Sequence, residues 1–209
     1  MIGQPIQLTE PQQKILTRLK QVVEDNKIKV YINEFSPARL EGPVSLDVEH
    51  NESGEMVCIG LYNGEYAECW TKITQDLRRF LPNQTFVMHN GVSDIECLRS
   101  WGVNIKDSQL IHDTMLLGHI LDSSKKDYSL KGMAKRDLGI TYPEYDEIVG
   151  KHKGKTTKHP ACNRQQSDCC GRITLDKQLL EIVSLYNALD CFVTWKLYQR
   201  QKKEMEHYV

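Results

Sequence analysis

At 209 residues the chain is long enough to bury a sizeable core in one domain, with two as the upper bound. Its 40% hydrophobic and 26% charged content excludes a disordered chain, and no apolar run approaches the roughly 18 residues of a membrane span. A net charge of −1 leaves nucleic acid open as a partner, because a local basic patch matters more than the sum. Residues 1–11 lack the basic start and apolar centre of a signal peptide, and seven cysteines make an odd set without small-secreted spacing. Both features point to an intracellular, reducing, cytoplasmic setting with no membrane.

Helical signals open the chain at residues 9–25, where Thr9 caps, Pro11 suits the first turn, and Ile15, Leu19 and Val22 form a stripe. Ile28, Val30 and Ile32 alternate as a short strand, and Pro37, Gly42 and Pro43 then break the chain. The next strand, from Val44 to Glu49, contains a conflict. Alternation puts Val44, Leu46 and Val48 on one face and Ser45, Asp47 and Glu49 on the other, so two carboxylates point the same way. Like charges that close disfavour double ionisation unless a cation neutralises them, and oxygen ligands suit Mg²⁺. A solvated polar face on an edge strand is the commoner explanation of the tripeptide taken alone.

Beyond the turn at Asn51-Glu52-Ser53-Gly54, a strand over residues 56–62 reaches the hairpin signal Asn63-Gly64, and residues 66–70 complete an antiparallel meander. Ile73, Leu77 and Phe80 predict a helix ended by Pro82, and residues 85–88 a buried strand leading into His89-Asn90-Gly91. This alternation predicts an α/β or α+β layered domain. Ser93-Asp94-Ile95-Glu96 fits a capping box, which gives Asp94 a structural explanation at the helix dipole. Its place after a strand end is where sites in open α/β sheets gather. Helices are expected at residues 108–121 and 129–138, and a last one at 175–205. In that last helix the stripe Leu175, Leu179, Ile182, Tyr186, Asp190, Val193, Leu197 places a carboxylate in the core-facing row. An unpaired buried carboxylate is expensive, so Asp190 needs a metal, an arginine or a helix terminus. Tyr186, one turn earlier, should approach the same point, as ligand-orienting group or as a plain hydrogen-bond partner.

Asp47-Val48-Glu49, Asn90 with Asp94 four residues on, and Tyr186 with Asp190 four residues on together resemble the three motifs of the DEDD exonucleases. The tyrosine places the likeness in the DEDDy branch, and within it the chain is most similar to the proofreading 3′-to-5′ exonuclease domain of family A DNA polymerases. His112-Asp113-Thr114-Met115, Tyr128-Ser129-Leu130-Lys131 and Tyr186-Asn187-Ala188-Leu189-Asp190 support it, over residues 44–200. Ser93 stands where the family usually has an aromatic residue.

The resemblance implies a single α/β domain with a ribonuclease-H-like mixed sheet flanked by helices. Residues 44–209 would be the exonuclease domain, and 1–43 a helix-and-strand extension packed on it. It further implies two Mg²⁺ or Mn²⁺ ions held by Asp47, Glu49, Asp94 and Asp190, with Tyr186 orienting water and Asn90 touching the terminal nucleotide. The expected activity is release of nucleoside 5′-monophosphates from the 3′ end of single-stranded DNA, in proofreading or DNA processing. No polymerase portion follows Val209, so a free-standing enzyme or an excised domain is expected, with a separate polymerase as partner and a phage or bacterial origin. Two rivals stand beside this: a ribonuclease-D-like exoribonuclease, and a non-catalytic nucleic-acid-binding module.

Lys125, Lys126, Lys131, Lys135, Arg136, Lys151, Lys153, Lys155 and Lys158 face only five acids in that interval. This basic excess is read as a rim that tracks a single strand, with Lys151, Lys153 and Lys155 in contact with the backbone. The same region contains His152, His159, Cys162, Cys169 and Cys170, but without the paired C-x-x-C spacing of a structural zinc site.

Overall fold

The structure, a computed structural model, describes residues 8–34, 36, 39–149, 175 and 178–207. Helix α1 (Glu10–Asp25) starts at Thr9 with a complete capping box closed by Gln12. Strand β1 (Lys29–Ile32) follows, then β2 (Val44–His50), β3 (Met56–Tyr62) and β4 (Tyr66–Trp70). Helix α2 (Gln75–Phe80) is capped by Thr74, and Pro82 sits inside the 3₁₀ turn that extends it. Then come β5 (Phe86–Met88), α3 (Gly91–Ser100), β6 (Leu110–Asp113), α4 (Thr114–Leu121), α5 (Leu130–Met133), α6 (Tyr145–Val149) and α7 (Leu180–Met205). Residues 134–138 continue α5 as a π turn.

The six strands form one mixed sheet in the order β1-β4-β3-β2-β5-β6. The expected meander is present: β2 pairs with β3 and β3 with β4, both antiparallel, around the Asn63-Gly64 turn. Pairing of β1 with β4, β2 with β5 and β5 with β6 is parallel. With helices on both faces, this is the ribonuclease-H-like α/β domain expected.

Two expectations fail. Residues 108–121 are not one helix, because residues 110–113 join the sheet edge as β6 beside β5. Leu110-Ile111 continue smoothly into the apolar Thr114–Leu121 helix, so periodicity alone could not mark the change; the backbone bonds to β5 decide it. The last helix begins at Leu180, with Leu179 as a non-helical cap (ψ 128°). Leu175 is buried in the same core as α7, which is why it keeps helical spacing without being in the helix.

The faces of the sheet differ. Val44, Leu46, Val48, Ile59, Leu61 and Trp70 fill one face with α2 and α3, an almost wholly apolar layer. Each such side chain contributes about 1.5–3 kcal/mol when fully buried. The other face carries α7, with α1 packed outside it. Because α7 is enclosed by the sheet on one side and by α1, α4 and α5 on others, its middle is buried all round, polar Ser184, Asn187, Asp190 and Thr194 included. Its approach to β3 is close. A Cβ at Gly60 would stand 2.1 Å from Asn187 Oδ1 and 2.9 Å from Cys191 Sγ, so only glycine fits opposite Asp47.

Candidate active site

Strand β2 delivers the first two acids. Asp47 and Glu49 follow Ser45 on the face turned to α7, as alternation requires. Ser45 Oγ donates to Cys191 O at 2.7 Å, and Asn187 Nδ2 donates to Asp47 Oδ2 at 2.6 Å, which locks the strand to the helix. Asp190, one turn beyond Asn187 on α7, completes a group in which one carboxylate oxygen each of Asp47, Glu49 and Asp190 lies within 4.8 Å of the others. Among the described residues this is the group of acids able to share a cation. It is not a solvated polar face: Asp47 and Glu49 are half-buried and Asp190 is 5% exposed.

Asp94 approaches from α3. The capping box predicted at Ser93 does not form, because the helix starts three residues earlier with Asn90 as cap in the left-handed region (φ 59°) and no side-chain cap. The Asp113 carboxylate does the capping instead, accepting from Asn90 N at 3.2 Å and Gly91 N at 2.9 Å. It also accepts from Met115 N and Leu116 N of α4. One acid thus ties two helix N-termini together, so Asp94 is not needed as a cap. Its Oδ2 is buried without a partner among the described residues, and the charges of Asp47, Asp113 and Asp190 act on it although it lies outside the 4.8 Å group.

Burial raises the carboxyls of Asp47, Glu49 and Asp94 well above the usual carboxylate range, and mutual repulsion raises them further: Asp190 acts on Asp47, and Asp47 on Glu49 and Asp94. Lys131 opposes this at both Asp47 and Glu49, and the Asn187 hydrogen bond opposes it further at Asp47. This lysine was expected on an outer basic rim. It instead points inward from α5, its ammonium paired with Asp190 Oδ1 and set over the rings of Tyr142 at 4.0 Å and Tyr186 at 4.2 Å.

Tyr186 is buried beside the acids, and burial followed by the charge of Asp190 raises its hydroxyl pKa. The phenol that donates to Asp190 Oδ1, however, is that of Tyr142. Sequence reasoning missed Tyr142 and Asn187 as site residues and misassigned Lys131. Asn187 and Lys131 stood inside matched motifs, whereas Tyr142, in the loop after the π turn, carried no signal. Asn90 is exposed at the start of α3. Lys151, Lys153 and Lys155, with His152, His159, Cys162, Cys169 and Cys170, lie outside the described residues. Cys58, Cys69, Cys97 and Cys191 are free. A cavity of about 600 Å³ lies further along α7, bounded by Met133, Arg136, Leu197 and Arg200, and none of Asp47, Glu49, Asp94 and Asp190 lines it.

All the donors are carboxylate oxygens, a hard set suited to Mg²⁺ or Mn²⁺, and the orphan Asp94 oxygen faces the same charges; the residues fit a divalent cation site. Among the described residues no helix is long and apolar enough to cross a membrane.

The sequence model of a family described as 3′-5′ exonuclease matches residues 32–206. No curated protein matches significantly in sequence. Among solved structures, Brucella melitensis NrnC superposes with a TM-score of 0.58 at 13% identity, covering 87% of this chain and 82% of its own. Brucella melitensis NrnC with bound Mg²⁺ gives 0.56 at 13%, with 87% and 83% covered. A structure described as the apo form of a nuclease gives 0.51 at 16%, with 87% and 86% covered. At these identities the likeness establishes the fold.

Proposed function

The chain belongs to the 3′-5′ exonuclease family of the DNA polymerase A type, and from that premise we propose that it hydrolyses the terminal phosphodiester at the 3′ end of single-stranded DNA. The observation that carries the reading is the convergence of Asp47, Glu49 and Asp190, with Asp94 beside them lacking a partner for Oδ2. Three acids within 4.8 Å of one another, with a fourth close enough to feel their charge, repel one another at a cost that a bound divalent cation would offset. That a structure of like fold has Mg²⁺ bound supports the same choice.

Two divalent ions, when bound, supply charge stabilisation to the attacking and leaving oxygens of an in-line displacement. Asp47 would serve both ions, Glu49 and Asp190 would complete one site, and Asp94 would hold the other. Asn187 keeps Asp47 turned toward the cluster. Tyr186 orients the attacking water and does not deprotonate it, since a hydroxyl held above its ordinary value is a poor base at neutral pH. The water oxygen bonds to phosphorus as the bond to the 3′ oxygen breaks, the attacking water gives up one proton to solvent, and the departing 3′ oxygen takes one from solvent. The shortened strand leaves with a free 3′-hydroxyl, and a nucleoside 5′-monophosphate departs. Asn90, exposed where α3 begins, contacts the terminal nucleotide, and Lys151, Lys153 and Lys155 track the backbone. A separate DNA polymerase is the natural partner for a proofreading role.

The test is a time course on 5′-labelled single-stranded DNA and RNA of one sequence, in chelator and in Mn²⁺. Stepwise shortening of DNA only with metal is expected. Preferential shortening of RNA would make this an exoribonuclease, the 2′-hydroxyl being what separates the two. Binding of both strands without release would make it a recognition module.

A further inference from the structure

Lys131 is a cation built into a site of acids, and its placement is specific. Its ammonium pairs with Asp190 Oδ1, the same oxygen that accepts the Tyr142 hydroxyl, and lies between the faces of the Tyr142 and Tyr186 rings. The side chain is 15% exposed and that of Asp190 8%, so the pair is screened little by solvent. Two aromatic faces attract the ammonium as well as the carboxylate does. This is a complete cage for one positive charge, assembled from α5, the loop carrying Tyr142, and α7.

A divalent ion held by Asp47, Glu49 and Asp190 needs the Asp190 carboxylate, and an ammonium on that carboxylate repels it. We propose that Lys131 is a positioning residue that acts through Asp190. It stands in for the metal in the metal-free protein, holds the acids together against their repulsion, and competes with the divalent ion for Asp190. Lys131 thereby sets the metal concentration at which the site loads. The inference rests on the metal-dependent reading proposed above and goes beyond it, because a lysine that only braced the fold would not change metal affinity in this direction.

The experiment is calorimetric titration of Mn²⁺ into the chelator-stripped full chain without nucleic acid, for the parent, Lys131→Met and Lys131→Gln. Glutamine removes the charge but keeps an N–H donor on a slightly shorter side chain, which covers the case in which methionine disturbs folding. Both variants should bind Mn²⁺ about tenfold more tightly or better. Without metal both should melt below the parent, and Mn²⁺ should restore more of their stability than it adds to the parent's. Equal or weaker binding by the variants, with the parent binding normally, overturns the role of Lys131 and leaves the exonuclease reading standing. Absence of Mn²⁺ binding by all three proteins removes the metal-dependent reading itself, and this inference with it.

Discussion

Acids in two regions of this molecule meet opposite fates. Glu68, on β4, has a fully buried side chain, and it has its own cation: Arg39 Nε donates to it at 2.7 Å, Ser36 N at 3.4 Å, and the Arg39 guanidinium is itself placed 3.9 Å over the Tyr31 ring. Among the described residues, Asp47, Glu49, Asp94 and Asp190, at the β2 and α7 end, have a single lysine among them, and Asp94 keeps an unpartnered oxygen. Burial raises the Glu68 carboxyl too, but Arg39 opposes it directly. A private counter-charge makes a structural ion pair; an excess of acids over counter-charge is what the proposed cation site requires. Charge balance, and not burial, separates the two.

Removing one acid from each region should therefore have different consequences. Asp47→Ala is expected to lower nuclease turnover by about 10²-fold or more, since the acid shared by both proposed metal positions is gone. Its metal-free melting temperature should hold or rise as repulsion is relieved. Turnover within tenfold of the parent would sink the two-metal assignment. Glu68→Gln should do the reverse. Leaving Arg39 without its buried partner costs about 2–3 kcal/mol in urea denaturation, with turnover per folded molecule unchanged. A stability loss below about 0.5 kcal/mol, the range of surface substitutions, would mean that the pair is not structural.

Tyr186→Phe removes one hydroxyl at the acid-rich end, and a loss of roughly tenfold in rate with the same metal requirement is expected. An unchanged rate would reduce Tyr186 to packing against Lys131. The smallest effect is on pH dependence. Asp47, Glu49 and Asp94 titrate above the ordinary range, so the folded metal-free chain retains protons that the unfolded chain has released. Stability in chelator should fall as pH rises from about 4, where unfolded carboxyls ionise, through the raised folded values. Asp94→Asn should flatten that slope, and Mn²⁺ should flatten it in the parent. A melting temperature that climbs over the same interval would contradict the repulsion described here.

The sequence by itself determined the strand alternation that puts Asp47 and Glu49 on one face, the Asn63-Gly64 hairpin, the cap at Thr9, and the presence of a carboxylate in the inner row of the last helix. These are local matters of period and turn chemistry, settled within a few residues. Motif order was also legible, which is how the family could be named from Asp47, Glu49, Asp94, Tyr186 and Asp190 together. Only the tertiary structure decided that residues 110–113 are a strand, because edge pairing with β5 is a contact between segments more than 20 residues apart. It also decided that Asp113 takes the capping role expected of Ser93, and that the phenol donating to Asp190 is that of Tyr142 from a distant loop. Lys131 is the clearest case. As a letter it is one more basic residue in a basic stretch, and only the approach of α5 to α7 turns its charge inward onto the acids.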